Sequence, residues 1–198
     1  MIGAAPLQER WFARPAPQVA RALIGTTLTW HGCGGMVVET EAYTLDDPAS
    51  HSHGGPTARN AAMFGPPGRA YVYRSYGIHL CLNVTCGHGQ AVLIRALAPG
   101  HGLATMTTRR GTDRARLIAS GPGRLGQALG VTLADNHCRF DSTETGFLPG
   151  APASILTGPR IGITRAKDRP WRFGLAGSPH LSRAFPAAPS FCRKYSGG

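Results

Sequence analysis

Two glutamates and a tyrosine recur at two-residue intervals in the apolar run 36–43, where Glu39, Glu41 and Tyr43 follow Val37. A β-strand has a two-residue period, so all four side chains are predicted to lie on one face of a strand. Unpaired carboxylates are costly to bury, which makes two of them unusual on a core-facing side. The run is therefore either a solvent-facing edge strand or a strand that carries catalytic carboxylates.

A carboxylate that activates water is the simplest chemistry that these residues support. The sequence contains no GxSxG motif for a serine nucleophile. Its two lysines, Lys167 and Lys194, lie in late polar segments, which disfavours Schiff-base chemistry. Glu41 or Glu39 is then the predicted general base.

A metal centre is one alternative. His51 and His53, with Asp46, Asp47 and Glu41 nearby in the sequence, supply enough donors for a hydrolytic metal site. However, the His-x-His spacing matches no helical HxxxH pattern, and the five cysteines form no CxxC pair. We therefore expect no metal ion and no other cofactor.

The segments that follow the predicted strand 36–43 must position the candidate catalytic residues. Residues 44–68 form a long loop, and loops of more than about 12–15 residues are commonly functional or disordered. Residues 69–74 and 79–85 are predicted to form a β-hairpin, because the Ser75-Tyr76-Gly77 sequence between them favours a tight turn. This hairpin leaves Tyr76 at its tip, and alternation in its second strand directs Asn83 away from the apolar side.

The whole chain predicts one α+β domain, since strands and helices mix without a βαβ rhythm and 198 residues fit a single domain. Residues 17–183 form this domain. Residues 1–16 are expected to be an irregular lead-in, and residues 184–198 a flexible tail. A helix predicted to begin just after Gly121 would offer free backbone N–H groups to a phosphate.

The charge indicates a polyanionic partner. The formal net charge is +11, and all but two of the 21 basic residues are arginines, whose planar fork suits phosphate. Tyr43, His51 and Tyr73 would suit a pocket for an extruded base, and Tyr76 a wedge between bases. Core packing is the ordinary alternative for any single tyrosine. No apolar run approaches the ~20 residues of a membrane span, so we expect a cytoplasmic protein with no membrane partner. Together with the positive charge, this predicts association with the nucleoid.

The sequence resembles the alkyladenine (3-methyladenine) DNA glycosylases of the mammalian type, which also occur in bacteria. The resemblance runs from about residue 20 to about residue 182, and so many ordered matches are not expected by chance. The motifs that carry it are VETEAY at 38–43, HSHGG at 51–55, RN at 59–60, MF at 63–64, YVY at 71–73, YG at 76–77, CLN at 81–83, LIRAL at 93–97, SGP at 120–122 and GSP at 177–179.

The resemblance implies a compact domain with a curved antiparallel β-sheet, flanking helices and a protruding hairpin. It also implies a metal-independent, monofunctional glycosylase that hydrolyses the N-glycosidic bond in base excision repair. Glu41 would be the general base and Arg95 its orienting partner. Tyr43 would stack on one face of the flipped base, with His51 and Tyr73 on the other.

The resemblance further implies that Asn83 disfavours normal guanine and that Tyr76 fills the gap in the duplex. Contacts to the DNA backbone are expected from four residues: Arg59, Gly121, Arg124 and Ser178. The expected partner is double-stranded DNA with damaged purines (3-methyladenine, 7-methylguanine, ethenoadenine or hypoxanthine), bound by a monomer that leaves an abasic site. A non-catalytic nucleic-acid-binding module and a metal-dependent nuclease are the alternative functions.

Overall fold

The computed structural model describes residues 4–186. Within them the strands are β1 (Thr27–Trp30), β2 (Cys33–Tyr43), β3 (Ala70–Ser75), β4 (His79–Gly87), β5 (Gln90–His101), β6 (Thr145–Leu148), β7 (Ile155–Gly158) and β8 (Arg172–Leu175). The helices are α1 (Glu9–Phe12), α2 (Ala16–Leu23), α3 (Ala61–Phe64), α4 (Leu103–Arg110), α5 (Ala115–Ile118) and α6 (Pro122–Leu129), with a 3-10 turn at Leu133–Asp135.

All strand pairings in the sheet are antiparallel, with the order β3-β4-β5-β2-β1-β6. The long strand β2 pairs with β5 along most of its length and, at different positions, with β1 and β8. The sheet therefore curls around β2, and the predicted α+β domain with a curved antiparallel sheet is confirmed. Because β2 is central, the edge-strand interpretation of Glu39 and Glu41 is wrong.

Two of the three irregularities in the β2–β5 ladder set which side chains face the site. Val37 pairs with Leu97 and Glu39 with Ala96, so Val38 is an extra residue on β2. The next pair is Thr40 with Ile94, which leaves Arg95 as the extra residue on β5. An extra residue re-aims its neighbours and reverses the two-residue alternation. Val37 accordingly joins the hydrophobic core and is not on the carboxylate face, contrary to the simple strand pattern.

The main core lies between the sheet and helices α2 and α6. The apolar positions of α2 repeat at helical spacing and are fully buried: Ala16, Val19, Ala20 and Leu23. Helix α6 approaches β4 so closely that a Cβ on Gly126 would lie 2.1 Å from the Leu80 carbonyl oxygen. This packing holds β4 and β5, and so the residues on their other face, in fixed positions.

The chain ends differ in detail from the sequence prediction. The expected irregular lead-in contains α1, whose Phe12 is fully buried in the core. Of the expected tail, residues 184–186 are described, and the Phe185 ring lies 3.9 Å from the Arg172 guanidinium carbon. Residues 187–198 lie outside the described part, so the flexibility of the tail stays a prediction. No helix in residues 4–186 is long and apolar enough to cross a membrane.

Candidate active site

A cavity of about 520 Å³ opens on the sheet face opposite the main core. Along β3 and β4 the core residues Val72, Leu82 and Val84 alternate with residues that line the cavity. Those lining residues include Tyr71, Tyr73, Cys81 and Asn83. Other parts of the wall come from Tyr43, His51, Met63, Leu93, Arg95 and Ile161. The volume is within the usual range of small-molecule sites, about 300–1,000 Å³.

One wall of the cavity is aromatic. The His51 and Tyr73 rings meet edge to face with centroids 4.5 Å apart, and the Tyr71 hydroxyl lies 2.8 Å from Nδ1 of His51. Partial burial and the nearby Arg59 lower the pKa of His51, so the ring is neutral at neutral pH. Burial raises the pKa of Tyr71 to about 12. This wall therefore offers uncharged, electron-rich rings to a flat ligand.

Asn60 holds the loop that carries His51. Its buried side-chain NH2 donates to the backbone oxygens of His51 and Gly55, at 2.8 and 3.0 Å. The neighbouring Ser52 hydroxyl donates to the Gly89 oxygen at 2.6 Å. The loop at 44–60 is thus tied down by buried hydrogen bonds, which fixes His51 against the sheet.

Glu41 is fully buried and, within residues 4–186, has three polar partners. The Tyr43 hydroxyl donates to Oε2 at 2.9 Å, the Ile161 N–H donates to Oε1 at 2.7 Å, and Nη1 of Arg95 lies 3.3 Å from Oε2. Burial raises the pKa of Glu41, an effect that Arg95 and the two hydrogen bonds oppose in part. Burial likewise raises the pKa of Tyr43 well above 10, so its hydroxyl stays protonated and remains a donor.

Arg95 connects the two glutamates. Its Nε donates to Oε1 of Glu39 at 3.1 Å while its Nη1 faces Glu41. Glu39 is itself fully buried and accepts from Nε of Arg172 at 2.8 Å and from the Ser182 hydroxyl at 2.8 Å. A buried carboxylate needs such partners. Glu39 is therefore an anchor for two arginines, which agrees with a structural role.

The hairpin ends in an exposed apolar tip. Tyr76 and Gly77 both have positive φ, at 49° and 73°, as in the tight turns that hairpins favour. The Tyr76 side chain is 84% exposed, and Ile78 next to it is 71% exposed. Tyr76 also lines the mouth of the cavity. Two large apolar residues beside a site entrance are available to a partner.

Comparison with known proteins identifies the family. The family model for methylpurine-DNA glycosylase (MPG) matches residues 10–179. The chain belongs to this family. A Rhodopseudomonas palustris protein is 58% identical over 91% of this chain and 90% of its own length. A Nitrosospira multiformis protein is 57% identical over 88% of the chain and 92% of its own, and a Rhizobium etli protein 53% identical over 88% of each. All three carry the name "Putative 3-methyladenine DNA glycosylase".

The resemblance inferred from the sequence is therefore confirmed, and the structure gathers most of the expected site residues around one cavity. Seven of them line it: Tyr43, His51, Arg59, Tyr73, Tyr76, Asn83 and Arg95. Glu41 is not among the lining residues and lies behind Tyr43 and Arg95, which it contacts.

The three other expected DNA contacts, Gly121, Arg124 and Ser178, are not among the residues that line the cavity. The Gly121 N–H already donates to the Arg95 oxygen at 2.9 Å, so it is not free for a phosphate. Arg124 is exposed, with Nη1 3.4 Å from the Ser120 oxygen. The Ser178 hydroxyl accepts from the His180 N–H at 3.3 Å. Contacts of these residues with DNA stay predictions.

Sequence reasoning missed Tyr71 and the Ile161 N–H, which both contact site residues. The strand pattern could have predicted Tyr71 as a site residue, because it lies two residues before Tyr73 on β3 and so on the same face. Ile161 acts through its backbone N–H, which no side-chain type reveals. Within residues 4–186 no group of three His, Cys, Asp or Glu side chains is arranged to hold a metal ion. His51, an expected metal donor in the alternative interpretation, uses Nδ1 to contact Tyr71.

Proposed function

We propose that this protein is a DNA glycosylase that releases 3-methyladenine and related damaged purines from duplex DNA. The observation that carries the proposal is the Glu41 carboxylate, held by Tyr43, Ile161 and Arg95 at the back of an aromatic cavity. Membership of the methylpurine-DNA glycosylase family and the names of the relatives support the same reaction class.

The aromatic cavity suits an alkylated purine. Alkylation at a ring nitrogen leaves the base cationic, and a cation stacks favourably on the faces of electron-rich rings. Tyr43 would take one face of the base, with His51 and Tyr73 on the other. Since His51 is neutral at neutral pH, it adds no repulsive charge to this stack. A base inside a duplex cannot reach such a cavity, so the nucleotide must be extruded from the helix.

The hydrolytic step needs a side chain that accepts a proton from the attacking water. Water attacks C1′ of the sugar, its proton passes to Glu41, and the C1′–N bond breaks with its electron pair going to the purine. For a cationic alkylated purine the products are the neutral free base and an abasic site, whereas a neutral lesion such as hypoxanthine must also gain a proton as it leaves. An ionised Glu41 also stabilises positive charge that develops on the sugar in the transition state. Tyr43 and Arg95 line the cavity and hold the carboxylate from that side, with Glu41 behind them.

Duplex binding follows from charge and from the hairpin tip. The net charge of +11 favours a polyanion, and each arginine that contacts a phosphate releases counterions. Exposed Arg59 and Arg124 are the proposed phosphate contacts. Tyr76 would enter the duplex at the position that the extruded nucleotide leaves.

Single-turnover base release tests this function. A duplex with one ethenoadenine or hypoxanthine, and separately methylated duplex DNA, are incubated in EDTA with the native protein, with Glu41→Gln and with the matched control Glu144→Gln, whose side chain is exposed. We expect release by the native protein and the control, near-complete loss in Glu41→Gln, and duplex binding by all three. Equal rates in Glu41→Gln would exclude Glu41 as the base.

The same assay separates the alternative functions. Tight duplex binding without release of any of these bases would indicate a binding module. Backbone scission that EDTA abolishes would indicate a metal-dependent nuclease. Borohydride trapping of a covalent adduct would contradict a water-activating mechanism, because such an adduct requires an amine nucleophile.

A further inference from the structure

We propose that Arg160, held by Asp47, is a positioning residue that sets the geometry of Tyr43 and of the Ile161 N–H around Glu41. The inference rests on the proposed function, since it assigns a role to residues that contact the proposed base and stacking ring. Neither Arg160 nor Asp47 lines the base cavity. Both act through residues that line it.

The first contact is with the stacking ring. The guanidinium carbon of Arg160 lies 4.7 Å from the centroid of the Tyr43 ring. Since Arg160 does not line the cavity, it supports the ring from outside the space that a base would occupy. The centroid of the Trp171 ring lies 5.4 Å from the same guanidinium carbon, so this cation packs against two aromatic rings.

The second contact is with the backbone that carries the carboxylate. Nη1 of Arg160 donates to the Ala42 oxygen at 2.9 Å, and Ala42 lies between Glu41 and Tyr43 on β2. The residue after Arg160 is Ile161, whose N–H donates to Oε1 of Glu41 at 2.7 Å. One side chain therefore connects the strand that bears Glu41 to the segment that donates to it.

Asp47 fixes the Arg160 side chain. The two form a two-pronged ion pair, in which Nη1 contacts Oδ2 and Nη2 lies 3.0 Å from Oδ1. Both side chains are fully buried. Such a pair gives little net stability compared with apolar side chains of similar size, so stability alone is a weak reason for it. The planar fork does, however, define the orientation of the guanidinium.

The pair is replaced as a unit to test the proposal, because removing one partner alone leaves a buried charge. The variant is Asp47→Leu with Arg160→Met. The chain offers a matched control in the adjacent pair Asp46–Arg169. Arg169 also stacks on Trp171, with its guanidinium carbon 4.7 Å from the ring centroid, but in the described structure neither residue has a hydrogen bond, ion pair or cation–π contact with Tyr43. The control carries the same changes, Asp46→Leu with Arg169→Met.

The readout is the single-turnover rate of base release as a function of pH, with circular dichroism used to confirm folding. Several titratable groups face Glu41 from β2, β3, β4 and β5, namely Glu39, Tyr43, Tyr73, Cys81 and Arg95. All of them remain in both variants. Loss of the Ile161 hydrogen bond removes a partner of the ionised carboxylate, so the acidic decline of the rate moves to higher pH.

We expect the rate of the Asp47/Arg160 variant to fall by about 10- to 100-fold, as for a misplacement of roughly 1 Å. The pH at which its rate of base release falls in acid should be higher than for the native protein, while the control keeps the native pH profile. A purely structural role would lower the folded fraction without moving the decline. A folded Asp47/Arg160 variant with the native rate and profile would overturn the proposal.

A second measurement does not depend on activity. A crystal structure of the Asp47/Arg160 variant should show the Ile161 N–H displaced from Glu41 and the Tyr43 ring rotated. If the variant kept both the Ile161–Glu41 hydrogen bond and the native orientation of the Tyr43 ring, the positioning role would be overturned, even if the native protein released no base. Absence of base release by the native protein would instead reject the proposed function, so the two failures are distinguishable.

Discussion

Glu39 and Glu41 are both fully buried on β2, and one arginine bridges them: Nε of Arg95 lies 3.1 Å from Glu39 and its Nη1 3.3 Å from Glu41. Glu39 is also bound by Arg172, whereas Glu41 is bound by the neutral donors Tyr43 and Ile161. Burial raises the pKa of Glu41, and Arg95 and the two neutral donors oppose this only in part. The same residue type on one strand thus has two environments, one suited to anchoring and one to proton transfer.

Glu39→Gln is expected to destabilise the protein strongly. The change removes the negative charge that two buried arginines share, and breaking a buried ion pair on one side costs about 3–5 kcal/mol. Urea unfolding of the variant, compared with native protein and Glu144→Gln, measures this loss. An exposed substitution changes stability by about 0.5 kcal/mol or less, so Glu144→Gln is the baseline. A Glu39→Gln variant as stable as this baseline would contradict the anchoring role.

Base release is expected to decline in acid at a pH above the ordinary carboxyl pKa of 4.5. Glu41 acts in its ionised form, and its raised pKa means that protonation begins at higher pH, so activity falls as the pH falls through that value. The measurement is the single-turnover rate across the acid and neutral range.

His51 also titrates in acid, since its pKa is lowered from 6.5. A His51→Gln variant separates the two groups. If Glu41 controls the decline, the variant keeps its midpoint while its overall rate falls through weaker stacking. If the acidic decline of the rate disappears in His51→Gln, the decline is assigned to the histidine instead.

The two-residue period was enough to place Glu39, Glu41 and Tyr43 on one face, because they all follow the bulge at Val38. It failed for Val37, which precedes that bulge and lies in the core. Bulges depend on the register of the partner strand. Here a second bulge, on β5, places Arg95 opposite the carboxylates. A pattern within one strand contains no information on that register.

Contacts between distant segments were the other part that the sequence did not reveal. The Arg160–Asp47 pair and the Ile161 N–H join a late loop to β2 and to the loop that follows β2. Their residue types have many ordinary roles at a surface, and only the fold brings them together. By contrast, the hairpin with Tyr76 at its tip could be predicted, because a tight turn depends only on a few consecutive residues.

Asn83 is expected to limit the release of guanine-derived bases. Its side-chain NH2 donates to the Tyr71 oxygen at 2.9 Å and to the Cys81 oxygen at 3.4 Å, which fixes the amide in the cavity wall. Asn83→Ala removes this bulk, so release of 7-methylguanine should rise relative to hypoxanthine by about tenfold or more. Parallel single-turnover assays on the two lesions measure the ratio.

Asn83→Leu is the matched control, because leucine keeps the size of the side chain without its polar atoms. If bulk disfavours the exocyclic amino group of guanine, the control retains the native ratio. An unchanged ratio in Asn83→Ala would remove Asn83 as the discriminating residue.

Tyr76→Gly is expected to weaken action on duplex DNA without loss of stability. Tyr76 has φ of 49° and is 84% exposed, so the side chain adds little packing and occupies a backbone region that glycine adopts more readily. Loss of an aromatic ring that stacks in nucleic acid costs about 1–3 kcal/mol of binding. The affinity for a lesion-containing duplex should therefore fall by that amount, while the melting temperature stays the same or rises.

The comparison of duplex with single-stranded substrate decides whether Tyr76 fills a gap in the helix. An extruded nucleotide leaves a gap only in a duplex, so Tyr76→Gly should reduce release from the duplex much more than from the single strand. Tyr76→Phe keeps the ring and should retain native behaviour on both. Equal losses on the two substrates would instead indicate that Tyr76 acts as part of the cavity mouth that it lines.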